Sequence, residues 1–160
     1  FSKTLAPGVR VGWICGPSAL IQKLTLIKQA SDLHTATINQ QVTYRVAVEC
    51  FDKAVAEARA VYKARRDAML KALEKYAPAG IEWTKPSGGL FIWVTLPSRL
   101  DGARLLEKAV ERDFAFVPGG AFYPDGSGNN HLRLSFSLLP EETIEKGIRS
   151  LCELIREELA

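Results

Sequence analysis

Along the chain, apolar and polar positions change period repeatedly, and each change marks a predicted element. Val9, Val11 and Trp13 alternate with Arg10, Gly12 and Ile14, which predicts a short strand with Arg10 projecting from one face. Gly16-Pro17-Ser18 ends it. Leu20, Ile21, Leu24 and Ile27 then recur at helical spacing with Gln22, Lys23 and Lys28 opposite, predicting a helix over about 18–30. Residues 32–37 are polar. From 38 to 77 the chain is free of Gly and Pro and rich in Ala, Lys, Arg, Glu and Leu, a long helical region expected to bend around Cys50-Phe51-Asp52. A helix this long bridges two bodies, and Pro78, Ala79 and Gly80 end it.

The second half reads as a compact α+β unit. Ile81-Glu82-Trp83 is a short strand, and the near-continuous apolar run from Gly89 to Leu96 predicts a strand covered on both faces. Asp101 is placed to cap a helix whose apolar face is Leu105, Leu106, Ala109 and Val110. Phe114–Val117 and Leu132–Ser137 are further predicted strands, separated by a loop rich in Gly, Asp and Asn. Pro140 suits the first position of a closing helix, with Glu141 and Glu142 in its first turn and Ile144, Ile148, Leu151, Ile155 and Leu159 along one face.

With 160 residues, 47% of them hydrophobic, the chain can bury the core of one ordinary domain with an appendage. The net charge of +3 comes from 21 basic and 18 acidic side chains interleaved along the chain, so no nucleic-acid platform is expected. The cluster Lys63, Arg65, Arg66, followed by Asp67, reads as a solvated helix face. Cys15, Cys50 and Cys152 form neither a disulfide framework nor a metal site and read as small buried side chains in a reducing compartment. No apolar run approaches the ~20 residues of a membrane span.

Two constellations carry chemistry. Lys3 stands seven positions before Arg10 across Pro7-Gly8, so an amine and a guanidinium can face one pocket, with the Ser2 hydroxyl beside them. An amine can form a Schiff base with an aldehyde cofactor, and a guanidinium can grip its phosphate in a planar fork. Taken alone, a Lys and an Arg so spaced are most often solvated. In the second constellation, Asn130-His131-Leu132-Arg133-Leu134-Ser135-Phe136 puts an arginine into an apolar strand, where an unpaired charge would cost several kcal/mol. Arg133 then either forms a salt bridge to an acid elsewhere in the fold or clamps a ligand carboxylate.

The whole string Ser2-Lys3-Thr4-Leu5-Ala6-Pro7-Gly8-Val9-Arg10-Val11-Gly12 resembles the cofactor-lysine segment of class I/II aminotransferases, pyridoxal 5′-phosphate (PLP) enzymes of fold type I. Within them it is most similar to the 2-aminoadipate and kynurenine aminotransferase subgroup, as is Lys28–Thr35. Pro86-Ser87-Gly88-Gly89-Leu90-Phe91-Ile92-Trp93, Val117-Pro118-Gly119-Gly120-Ala121-Phe122 and Asn130–Phe136 match three further motifs of that family, in order.

The resemblance implies an α/β chain: residues 1–50 as the end of a large PLP-binding domain with an interdomain helix, and residues 51–160 as the C-terminal small α+β domain. It implies transfer of an amino group between an L-amino acid and a 2-oxo acid, with 2-oxoglutarate as the candidate, in a cytoplasmic homodimer without membrane or nucleic-acid partners. Lys3 is then the catalytic residue, Ser2, Lys3 and Arg10 bind PLP, Arg133 binds the substrate carboxylate, and Gly89 lets backbone approach the substrate. No metal is called for. His34 and Thr35 would lie near a subunit interface as second-tier candidates, although a lone histidine is more often a hydrogen-bonded structural group than a catalyst. Because the chain opens on Phe1, two residues before that lysine, it is expected to be the C-terminal part of a longer protein and inactive alone. Two alternatives stand beside the enzyme: the effector domain of an aminotransferase-like transcription regulator, and a non-catalytic isolated domain.

Overall fold

The computed structural model describes all 160 residues, which form two compact units, Phe1–Arg59 and Ala60–Ala160. In the first unit a single 3-10 turn, Pro7–Val9, leads to the predicted helix α1 (Ser18–Ser31). The strand expected over 9–14 does not form. An alternating run becomes a strand only when a neighbour completes its ladder, and no strand lies beside it. Arg10 instead ends the 3-10 turn in the left-handed region, φ 51°. Thr43 is the one buried residue of this unit, and Trp13, Ile14 and Ile27 stand exposed.

Helix α2 runs without interruption from Thr37 to Tyr76. Its last three turns supply Met69, Ala72 and Leu73 to the core of the second unit. There, β1 (Glu82–Trp83), β2 (Phe91–Thr95), β3 (Val117–Pro118) and β4 (His131–Ser135) form an antiparallel sheet in the order β1-β2-β4-β3. Helices α3 (Gly102–Val110) and α4 (Glu141–Leu159) complete it. The class is α/β, as expected.

The β2–β4 register fixes what each face of the sheet does. Ile92 pairs with Leu134 and Val94 with Leu132, and these four face a core shared with α2, Leu105 and Ala109 of α3, and Ile144, Ile148, Leu151 and Ile155 of α4. The intervening residues Phe91, Trp93 and Thr95 lie with Ser135, Arg133 and His131 on the opposite face. That face is only half-buried, so the expectation of a strand covered on both sides is corrected. The antiparallel sheet keeps one face on the core and leaves the other for other contacts. The expected strand 114–117 shrinks to Val117–Pro118, because only these residues find partners on β4.

Asp101 caps α3 as expected, its carboxylate accepting from the amides of Ala103 (2.8 Å) and Arg104 (3.0 Å). Two expectations about single side chains fail. Cys15 and Cys50 are exposed, and only Cys152 is buried, its thiol pushed up to about 11 by burial. The Lys63–Arg66 cluster is not a plain solvated face either. Lys63 is exposed, but Arg66 is only 16% exposed, and Arg65 donates to the carbonyl of Ser137 at 2.6 Å. No helix is long and apolar enough to cross a membrane.

Candidate functional site

In the first unit, the backbone closes residues 1–11 into a loop: the nitrogen of Phe1 donates to the carbonyl of Val11 (2.7 Å) and the amide of Leu5 to the carbonyl of Phe1 (2.9 Å). Beside it lies a cavity of about 370 Å³, open to solvent and lined by residues 1–4 and 10–12. The sequence placed Ser2, Lys3 and Arg10 at one pocket, and all three line this cavity. Thr4 adds a second hydroxyl, and no carboxylate is among the lining residues.

Arg10 Nη1 donates to Ser2 Oγ and to the carbonyl of Pro7, each at 3.3 Å, long contacts that orient the guanidinium while leaving other N–H groups for a ligand. Lys3 is exposed. Two cations and two hydroxyls around a cavity without an acid fit an anion bearing several oxygens, and the Lys3 amine can take up an electrophile carried by the same group. These residues therefore fit PLP.

Asn39 of α2 donates to the carbonyl of Val9 (3.1 Å), fixing the residue before Arg10. His34 does not take part. It is exposed in the turn between α1 and α2, and its Nδ1 lies 2.9 Å from the carbonyl of Thr35, which also accepts from Gln40 Nε2 at 2.7 Å. Both residues serve local turn structure here.

In the second unit, the open face of the sheet carries the other constellation. Arg133 is half-buried, its Nε is buried without a hydrogen-bond partner, and it belongs to none of the ion pairs. Two aromatic rings hold it instead: Cζ lies 4.2 Å from the centroid of Phe91 and 4.7 Å from that of Phe122. Of the two alternatives open from sequence, the salt bridge is absent. Arg133 is a cation flanked by two rings with its hydrogen-bonding edge uncommitted, an arrangement able to receive a carboxylate in a fork.

The surroundings are aromatic. Trp93 meets Phe122 edge-on at 5.4 Å, and His131 stacks on Tyr123 at 5.6 Å with 10° between planes. Gly89 sits in the turn before β2 with φ +82° and nothing within 4 Å of where a Cβ would stand, an open position that only glycine occupies without strain. Phe91 and Phe122 were missed as site residues in the sequence. For Phe91 the signal was available in the period-2 pattern, which turns it away from the core face of Ile92 and Val94, while Phe122, in the 3-10 turn Gly119–Phe122, carries no such signal.

Comparison with known proteins follows the same lines. The family model described as aminotransferase class I and II matches residues 1–151. The aromatic-amino-acid aminotransferase 1 of Thermococcus litoralis is 48% identical over 99% of this chain and 38% of its own length. Among solved structures, the kynurenine aminotransferase of Pyrococcus horikoshii superposes with a TM-score of 0.91 at 46% identity, over 100% of this chain and 40% of that one. The α-aminoadipate aminotransferase LysN of Thermus thermophilus, solved in complex with N-(5′-phosphopyridoxyl)-L-leucine, gives 0.90 at 40% identity, over 99% and 41%. The chain thus spans about two-fifths of the length of the relatives it matches.

Proposed function

Since the chain belongs to the class I and II aminotransferases, we propose that it is the part of a PLP-dependent aminotransferase that carries the cofactor lysine and the substrate-carboxylate arginine. The enzyme moves an amino group between an L-amino acid and a 2-oxo acid, for which 2-oxoglutarate is our candidate. The observation that carries this proposal is the cavity of residues 1–12, where Ser2, Lys3 and Arg10 meet with no acid among them. The phosphopyridoxyl-leucine bound by the similar LysN supports the same cofactor class.

PLP, when bound, supplies an aldehyde that takes up the amino group and a ring that draws off the electrons released at Cα. The chain's own residues do the rest. Lys3 Nζ anchors the cofactor at rest. The Lys3 amine would also be the group that accepts the proton from the substrate Cα and returns one, acting as general base and then general acid. Arg10 and Ser2 hold the phosphate, a positioning role. Arg133 grips the α-carboxylate, which orients the Cα–H bond for removal, and Gly89 allows backbone to approach. Residues 1–50 close the cofactor domain, residues 51–160 form the small domain, and we infer a cytoplasmic homodimer.

The test is reductive trapping. Intact protein incubated with PLP and reduced with borohydride is expected to carry the pyridoxyl group on the peptide containing Lys3. Lys3→Ala should lose both the label and turnover. Retained transamination in that variant would sink the assignment.

A further inference from the structure

Arg66 belongs to the cluster that composition assigned to solvent, yet its N–H groups are largely committed. Nη1 donates to the carbonyls of Pro86 (3.3 Å) and Ser87 (2.7 Å), while Nε and Nη2 donate to Asp67 Oδ1 at 2.9 and 2.6 Å. Asp67 Oδ2 accepts from Lys63 Nζ at 2.8 Å, so the carboxylate orienting Arg66 is itself held. These hydrogen bonds, Lys63 first and Arg66 second, keep the Asp67 carboxyl below its ordinary value and hence charged. Next to it, Arg65 Nη1 donates to the carbonyl of Ser137 at 2.6 Å.

The carbonyls so held belong to the two loops that leave one end of the β2–β4 ladder. The last registered pair there is Phe91 with Ser135, followed by the amide of Phe136 donating to the carbonyl of Leu90 at 3.1 Å. Beyond this point the turn has few internal restraints, since Gly88 and Gly89 carry no side chain and would meet nothing within 4 Å. The half-buried Arg66 guanidinium on α2 anchors it from outside. The turn leads directly to Phe91, whose ring lies 4.2 Å from Arg133 Cζ.

We propose that Arg66 is a positioning residue for substrate binding: by pinning the Pro86–Ser87 carbonyls to α2 it sets Gly89 and the Phe91 ring, and through that ring the aim of Arg133. It touches neither substrate nor cofactor. The proposal rests on Arg133 being the carboxylate clamp, as argued above.

The experiment is a double-mutant cycle on the intact PLP-loaded enzyme, combining Arg66→Met with Arg133→Met and measuring KM for the amino acid, kcat and PLP affinity. Arg66→Met is expected to raise KM about tenfold, the scale of loss when a reacting group is misplaced by a fraction of an ångström, with kcat and PLP affinity little changed. In the Arg133→Met background the same substitution should add nothing, because the route through Arg133 is already gone. An equal rise in both backgrounds, or none in either, overturns the proposal. Arg66→Lys keeps the cation beside Asp67, but one ammonium cannot reproduce the fork onto both carbonyls, so it carries the test should Arg66→Met fold poorly. A smaller KM rise that also vanishes in the Arg133→Met background supports the proposal, and an unchanged KM refutes it. If Arg133→Met alone leaves KM unmoved, the clamp assignment itself has failed, an outcome distinct from failure of the Arg66 link.

Discussion

Replacing Arg133 by methionine separates what the residue does for the ligand from what it does for the fold. For the fold, the substitution removes two cation–π contacts, with Phe91 at 4.2 Å and Phe122 at 4.7 Å, each worth roughly 0.5–2 kcal/mol at a half-buried site. Against that loss, methionine regains about 0.3–1.5 kcal/mol by packing sulfur on the same rings. It also abolishes the buried, unpartnered Nε, a group whose burial costs roughly 1–3 kcal/mol. The terms nearly cancel, so stability should change by no more than about 1 kcal/mol. For the ligand nothing cancels. A forked, charge-assisted pair with a carboxylate is worth roughly 3–4 kcal/mol, since each bond to a charged group contributes about 1.5–3 and the two are not additive. KM for the amino acid should therefore rise by about two to three orders of magnitude. Urea denaturation read by tryptophan fluorescence gives the first quantity, and initial rates over a substrate series give the second. A variant that loses more than about 2 kcal/mol while KM stays put would show that Arg133 is a structural plug between two rings, and the reasoning would be refuted.

Two further outcomes follow from the geometry. Gly128 has φ +76°, and a Cβ there would stand 2.2 Å from the Tyr123 ring. Gly128→Ala should cost roughly 2–4 kcal/mol by combining left-handed strain with overpacking, while Gly126→Ala, with φ +76° but open space, should cost only about 1–2 kcal/mol. Equal losses in urea melts would show that the Tyr123–His131 stack is not held by this contact. The second outcome concerns acid. The Glu145 carboxyl is held below its ordinary value of 4.5 by Lys75 and then Tyr76, and Glu157 is held below it by Arg112. Carboxyls depressed on folding stabilise the native state above the unfolded value and lose that contribution as pH falls through the folded one. Stability should thus be flat near neutrality and decline below about pH 4.5. Glu145→Gln should flatten that decline, and an unchanged slope would refute the assignment.

The helices were legible because a 3.6-residue apolar period is a property of one segment. The α4 face of Ile144, Ile148, Leu151 and Ile155 could be read without knowing what it packs on, and all four are buried. The strands were legible only where a partner exists: residues 9–14 have the alternation of a strand and no neighbour to complete it, while Leu132–Leu134 have β2 beside them. The site divides along the same line. Which chemistry is present, an amine and guanidinium around Pro7-Gly8 and an arginine in an apolar strand, is written locally. What each cation is committed to is not, because the partners lie far off in sequence. Arg66 next to Asp67 looks like a solvated pair until the carbonyls of Pro86 and Ser87, twenty and twenty-one residues away, are brought under it. Arg133 in its strand looks like half of a salt bridge until the fold leaves it with two rings and no acid. The two arginines differ in what their N–H groups still have to give. Those of Arg66 are engaged by the protein, so it can only hold structure in place. The hydrogen-bonding edge of Arg133 is open, which is why we propose it, and not Arg66, as the receiver of a substrate carboxylate.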